Sequence, residues 1–126
     1  MTQIERNTRS APVWSLTAEL REIENADSGM IPELVSLFLD DSAGRLRTLN
    51  GASIRRDFKT VRAQAHSLKG SALQMGAIGL ASLCSALELS DSAASEESEC
   101  AMRTIGDEFV LVRQAMEEYL VKIQQG

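Results

Sequence analysis

His66 is the only histidine in this 126-residue chain. The imidazole group titrates near about pH 6.5, so near neutrality one ring nitrogen carries a free lone pair and can act as a nucleophile. Attack on an activated phosphorus gives a phosphoramidate, a bond reactive enough for the group to be handed on. The residues around His66 at helical spacing suit that chemistry. Arg62 and Ala63 stand one turn before it, Lys69 and Gly70 one turn after, and Leu73 two turns after. Lys69 can turn its ammonium toward a group that carries nearly two negative charges. Gly70 costs a helix interior about 1 kcal/mol relative to alanine, and in return it leaves an open floor beside the imidazole. An exposed histidine, a solvated lysine and a glycine of close helix packing would give the same pattern, so spacing alone does not choose between the two.

The elements that position these residues follow from periodicity. Phe58, Val61, Ala65, Leu68, Ala72 and Met75 recur every three then four residues, the apolar stripe of an amphipathic helix. At about 100° per residue the stripe centres roughly 130° from His66, which therefore faces outward. Gly76 ends this helix, and Ile78, Leu80, Leu83, Cys84 and Leu87 mark the next. Before the histidine helix, Pro32 suits a first turn. Ile31, Leu34, Val35, Phe38, Leu39, Leu46 and Leu49 form an apolar face there, and Asn50-Gly51 reads as its stop signal. Leu16, Leu20 and Ile23 mark a short N-terminal helix, broken at 25–29. Residues 90–99 read as a polar, acidic loop, whose glutamates suit the positive end of the helix that follows. That last helix carries Met102, Ile105, Phe109, Val112, Met116, Tyr119 and Ile123. No segment alternates with period two. The expected fold is all-α: an antiparallel up-down four-helix bundle over residues 13–126 with a short extra N-terminal helix, preceded by a flexible arm at 1–12.

Composition narrows the function. An apolar fraction of 44% supports a core, and 4% aromatics make that core aliphatic. A net charge of −5 disfavours nucleic-acid binding. No run of 18 or more apolar residues spans a membrane, and residues 1–11 lack the apolar stretch of an export signal, so the expected location is cytoplasmic. Cys84 and Cys100 form no CxxC pair and are expected to be reduced, Cys84 as a small core residue. There is no P-loop, no glycine-rich kinase motif and no metal-ligand cluster.

The run Ala65-His66-Ser67-Leu68-Lys69-Gly70-Ser71-Ala72, with Gly76 ten residues after the histidine, resembles the signature of histidine-containing phosphotransfer (HPt) domains. The segments Ile31–Asp40 and Leu80–Glu88 resemble the family's helices before and after it, so the likeness spans roughly Asp27 to Ser90. It implies that His66 accepts a phosphoryl group from a receiver-domain aspartate and passes it to another, in a two-component relay. It also implies that Lys69 steadies the group, that Gly70 leaves room for the partner and that Gly76 turns the chain. The family often has Gln or Glu twenty-two residues after the histidine, which here is Glu88, placed to accept the Nδ1–H bond and leave Nε2 free. The resemblance further implies a phosphocarrier that is no enzyme and has neither a cofactor nor a metal of its own; the expected partners are a response-regulator receiver domain, a hybrid sensor histidine kinase, or both, with Mg²⁺ on the receiver. Arg62, Ala63, Leu73 and Ala77 are the expected docking patch. The phosphoacceptor segments of histidine kinases are also helical, but they usually place an acidic residue directly after the histidine and a proline four positions later. Here those places hold Ser67 and Ser71.

Overall fold

A computed structural model describes residues 13–89 and 96–125, the side chains of 96–98 excepted; the expected arm at 1–12 lies outside them. All the regular structure among these residues is helical: α1 (Ala18–Ala26), α2 (Met30–Ile54), α3 (Phe58–Met75), α4 (Ile78–Glu88) and α5 (Glu96–Gln125). α3 packs between α2 and α4, α4 packs on α5, and α5 closes back on α2, with α1 against α2. The cross-helix contacts run in antiparallel order. Arg45 of α2 meets Gln64 of α3, His66 of α3 meets Glu88 of α4, and Gly79 of α4 abuts Glu108 of α5. This is an up-down four-helix bundle with a short extra helix.

The core is largely the aliphatic set that periodicity marks, with Trp14, Phe38 and Phe109 added to it. Val61, Ala65, Leu68, Ala72 and Met75 of α3 are buried against Ile31, Val35, Phe38 and Leu49 of α2, Leu80, Cys84 and Leu87 of α4, and Ile105, Val112 and Met116 of α5. Each fully buried Leu, Ile or Val stabilises the fold by about 1.5–3 kcal/mol. Ile78, at the first turn of α4, is exposed instead.

Two boundaries differ from expectation. α2 does not stop at Asn50-Gly51 but runs on to Ile54, because Ala52 is fully buried and packing outweighs the weak helix propensity of the Asn-Gly pair. α5 begins at Glu96, inside the stretch expected to be loop; its apolar face begins only a turn later, so the first turn carries no periodic signal.

The turns that flank α3 share one geometry. After α2, Asp57 N–H donates to Ala52 O (2.8 Å) and Arg56 N–H to Ser53 O (3.0 Å). After α3, Ala77 N–H donates to Ala72 O (2.8 Å) and Gly76 N–H to Leu73 O (3.1 Å). Both are Schellman closures, which require a left-handed residue. Gly76 supplies it at φ 78°, but Arg56 adopts it at φ 59° with a full side chain. Asp57 then caps α3, accepting from Thr60 N–H (3.3 Å) and from the Thr60 hydroxyl (2.7 Å). At the other end, Trp14 Nε1 donates to Met75 O (2.6 Å) and is buried, and a Cβ on Gly76 would lie 2.4 Å from Thr17 Cγ2. The segment before α1 is thus clamped onto the α3–α4 turn.

Exchanging side chains at these two positions should act in opposite directions. Gly76→Ala should lower stability by at least about 1 kcal/mol, from left-handed strain plus the Thr17 clash. Arg56→Gly should raise it by up to about 1 kcal/mol as its strain is relieved. Thermal denaturation of both variants checks this, and a change of the same sign in both would refute the turn assignment.

Candidate functional site

His66 lies on the face of α3 opposite Ala65, Leu68 and Ala72, and its side chain is 67% exposed. The histidine is held by the C-terminal end of α4. Its Nδ1 is 2.6 Å from Glu88 Oε2, and Lys69 Nζ donates to Glu88 Oε1, also at 2.6 Å. One carboxylate therefore bridges two α3 side chains a turn apart. Glu88 is only 23% exposed. The Lys69 hydrogen bond holds its carboxyl below the usual carboxylate range, and the His66 hydrogen bond adds to that effect, against partial desolvation. An ionised carboxylate only accepts, so Nδ1 must carry the hydrogen and donate it. Nε2 is left with its lone pair.

Gly70 is exposed, and a Cβ built on it would meet nothing within 4 Å. Arg62 and Ala63 are exposed on the same face, as is Leu73 at 53%. Ala77 is not part of this surface. It is 0% exposed, because the Schellman closure after α3 folds it inward beside Ala72. The expectation that Ala77 belongs to the patch is corrected: at Gly76 the helix ends, so helical spacing no longer says which way the next residue faces.

Spacing along α3 also did not reveal that Lys69 is held by Glu88, a contact across helices. Nor did it reveal the brace behind His66, where Arg45 of α2 donates to Gln64 Oε1 (3.2 Å) and to Asp41 Oδ2 (2.9 Å). Cys84, one turn before Glu88, is fully buried. Burial and the Glu88 charge push its thiol up to about 12, so it packs as a hydrophobe and is no nucleophile at neutral pH.

The site is convex. The clefts at the bundle ends, one lined by Ile54, Phe58 and Met102 and the other by Trp14, Leu111 and Tyr119, contain none of its residues. Among the described residues no group of three or more His, Cys, Asp or Glu is placed to hold a metal ion, and no helix is long and apolar enough to cross a membrane.

Comparison with known proteins agrees with the geometry. The sequence model described as the Hpt domain matches residues 33–125. Among solved structures, histidine-containing phosphotransfer protein B from Pseudomonas aeruginosa PAO1 is similar, with 32% identity and a TM-score of 0.75, over 87% of this chain and 96% of that one. No curated protein sequence matches.

The Glu88 bridge has a pH signature. Its carboxyl is more acidic in the folded chain than in the unfolded one, so below the ordinary carboxylate value of about 4.3 the unfolded chain binds more protons. The bridge therefore contributes stability above that range and loses it as pH falls through the lower, folded value. Glu88→Gln should flatten the dependence of unfolding free energy on pH across the acid range. Denaturant titrations at several acid pH values check this, and an unchanged slope would show that the bridge does not form in solution.

Proposed function

The chain belongs to the Hpt family of histidine-containing phosphotransfer domains and is a phosphoryl-carrying intermediate of two-component relays, and from that premise we propose that His66 carries the group. One observation supports this most: the only histidine stands exposed, with Nδ1 committed to Glu88 and Nε2 directed away from that bond.

In this reading a receiver's aspartyl phosphate approaches over Gly70. The Nε2 lone pair forms the N–P bond as the acyl P–O bond breaks and the receiver recovers its carboxylate. The reaction runs backward to load a second receiver. Positioning and charge neutralisation do most of the work in such a transfer. Glu88 orients the ring. Lys69 turns from Glu88 Oε1 toward the arriving phosphoryl oxygens and replaces a hydrogen bond to one anion with a hydrogen bond to another. Arg62, Ala63 and Leu73 surround the ring and form the docking patch, its apolar members covered when the receiver seats.

Hpt domains are phosphocarriers, not kinases. We read this chain as having no ATP site of its own, taking its phosphoryl group from a hybrid sensor kinase or a response regulator in the cytoplasm. The divalent cation that such transfer uses belongs to the receiver.

Incubated with a phosphorylated receiver, the protein should gain a label that is lost in acid and survives alkali. His66→Gln should retain the fold, since the side chain is exposed, and take no label; a labelled variant would overturn the assignment. Gly70→Gln should keep its helicity and slow transfer by about tenfold or more, because a side chain there obstructs the approach. Undiminished transfer would refute the access role of Gly70.

A further inference from the structure

Glu88 does more than aim the ring. Transfer to Nε2 converts a neutral imidazole into a phosphoimidazolium: the ring gains a positive charge while Nδ1 keeps its hydrogen. Charge balances, because a dianionic acyl phosphate and a neutral ring become a carboxylate and a ring of charge +1 bearing a phosphoryl group of charge −2. A ring in this protonated state leaves as neutral imidazole when the group moves on. If Nδ1 loses its proton, the ring must leave as imidazolate, a far worse leaving group, and the phosphoryl group is stranded.

We infer that the Glu88 carboxylate retains the Nδ1 proton throughout the cycle and thereby keeps the carried phosphoryl group transferable. The inference rests on the reading of His66 as the acceptor. Three observations carry it. Glu88 Oε2 is 2.6 Å from Nδ1, within charge-assisted hydrogen-bonding distance. The carboxylate is three-quarters shielded from solvent, which strengthens its field at the ring. In the free protein its second oxygen is tied to Lys69 Nζ, which sets the carboxylate ionised and in place before the phosphoryl group arrives. The groups facing it are Lys69 and His66 from α3 and the buried, un-ionised Cys84 from its own helix. Glu99, at the start of α5, lines the cleft beside Arg56 and Arg103 instead. As the phosphoryl group arrives and Lys69 turns toward it, Glu88 loses its competing cation just when the ring becomes positive.

A neutral amide at position 88 can still accept the Nδ1–H bond and aim the ring, but it cannot hold the proton by charge. Glu88 is thus a positioning residue whose charge, and not only its shape, sets the outcome. The test loads the whole protein with potassium phosphoramidate, which needs no receiver, and follows loss of phosphate in mildly alkaline buffer. Glu88→Gln should lengthen the phosphoryl lifetime by about tenfold, the difference between a charged and a neutral hydrogen bond. It should also slow loading from a phosphorylated receiver by a similar factor. Glu88→Asp, which keeps the charge on a shorter arm, should restore a short lifetime at least in part. A lifetime in Glu88→Gln equal to or shorter than wild type would overturn the inference. Loading slowed in both variants without a longer lifetime would leave Glu88 as a steric guide and overturn it as well. Failure of the wild-type protein to be loaded on His66 at all would instead overturn the proposed function, so the two failures are distinguishable.

Discussion

A single carboxylate, Glu88, joins the end of α4 to the middle of α3, and the proposed chemistry depends on that contact. Without it the imidazole on α3 would sample both tautomers and several ring orientations, as an exposed histidine does. With it, the ring has one donor end and one nucleophilic end. Lys69 completes the arrangement: its ammonium keeps the carboxylate ionised while at rest and lies within a side-chain rotation of an incoming anion. Two hydrogen bonds to one acid thus specify which nitrogen is free, which way it faces and, in the proposed transfer, where the cation stands.

The bundle exists, in this view, to hold two helices in register. His66 and Glu88 are separated by 22 residues and meet only because α3 reverses into α4 in a two-residue turn. Gly76 makes that reversal possible through its left-handed backbone. Trp14 and Thr17 clamp the same turn from outside. Trp14 also meets Tyr119 edge to face at 5.7 Å, and the Tyr119 hydroxyl donates to Glu24 of α1, so the N-terminal segment and the far half of α5 close one end of the bundle together. Behind the reactive face, Leu68 and Ala72 are fully buried. Rolling α3 would pull these side chains out of the core.

Much of this was legible in the sequence, for identifiable reasons. The period of the α3 stripe alone places His66 on the outer face, because a packed helix leaves little choice about which side is buried. The HSLKGS run points to the family, and its spacing brings Glu88 into consideration. Signals failed where tertiary packing overrides local preference. Asn50-Gly51 would end an isolated helix, but burial of Ala52 carries α2 past it. Arg56 enters the left-handed region with nothing in its residue type to announce it. Ala77 looks like a surface residue by extrapolated periodicity, yet the helix ends one residue earlier and the turn buries it. The Trp14–Met75 clamp joins residues 61 apart, beyond any local pattern.

The most direct measurement of the central claim is the ¹⁵N spectrum of the histidine ring before and after phosphorylation, which is unambiguous because the chain has one histidine. The hydrogen should lie on Nδ1 in the free protein, the phosphorus on Nε2 in the loaded one, and the Nδ1 hydrogen should still be present after loading. Phosphorus bonded to Nδ1, or a free ring protonated mainly on Nε2, would contradict it.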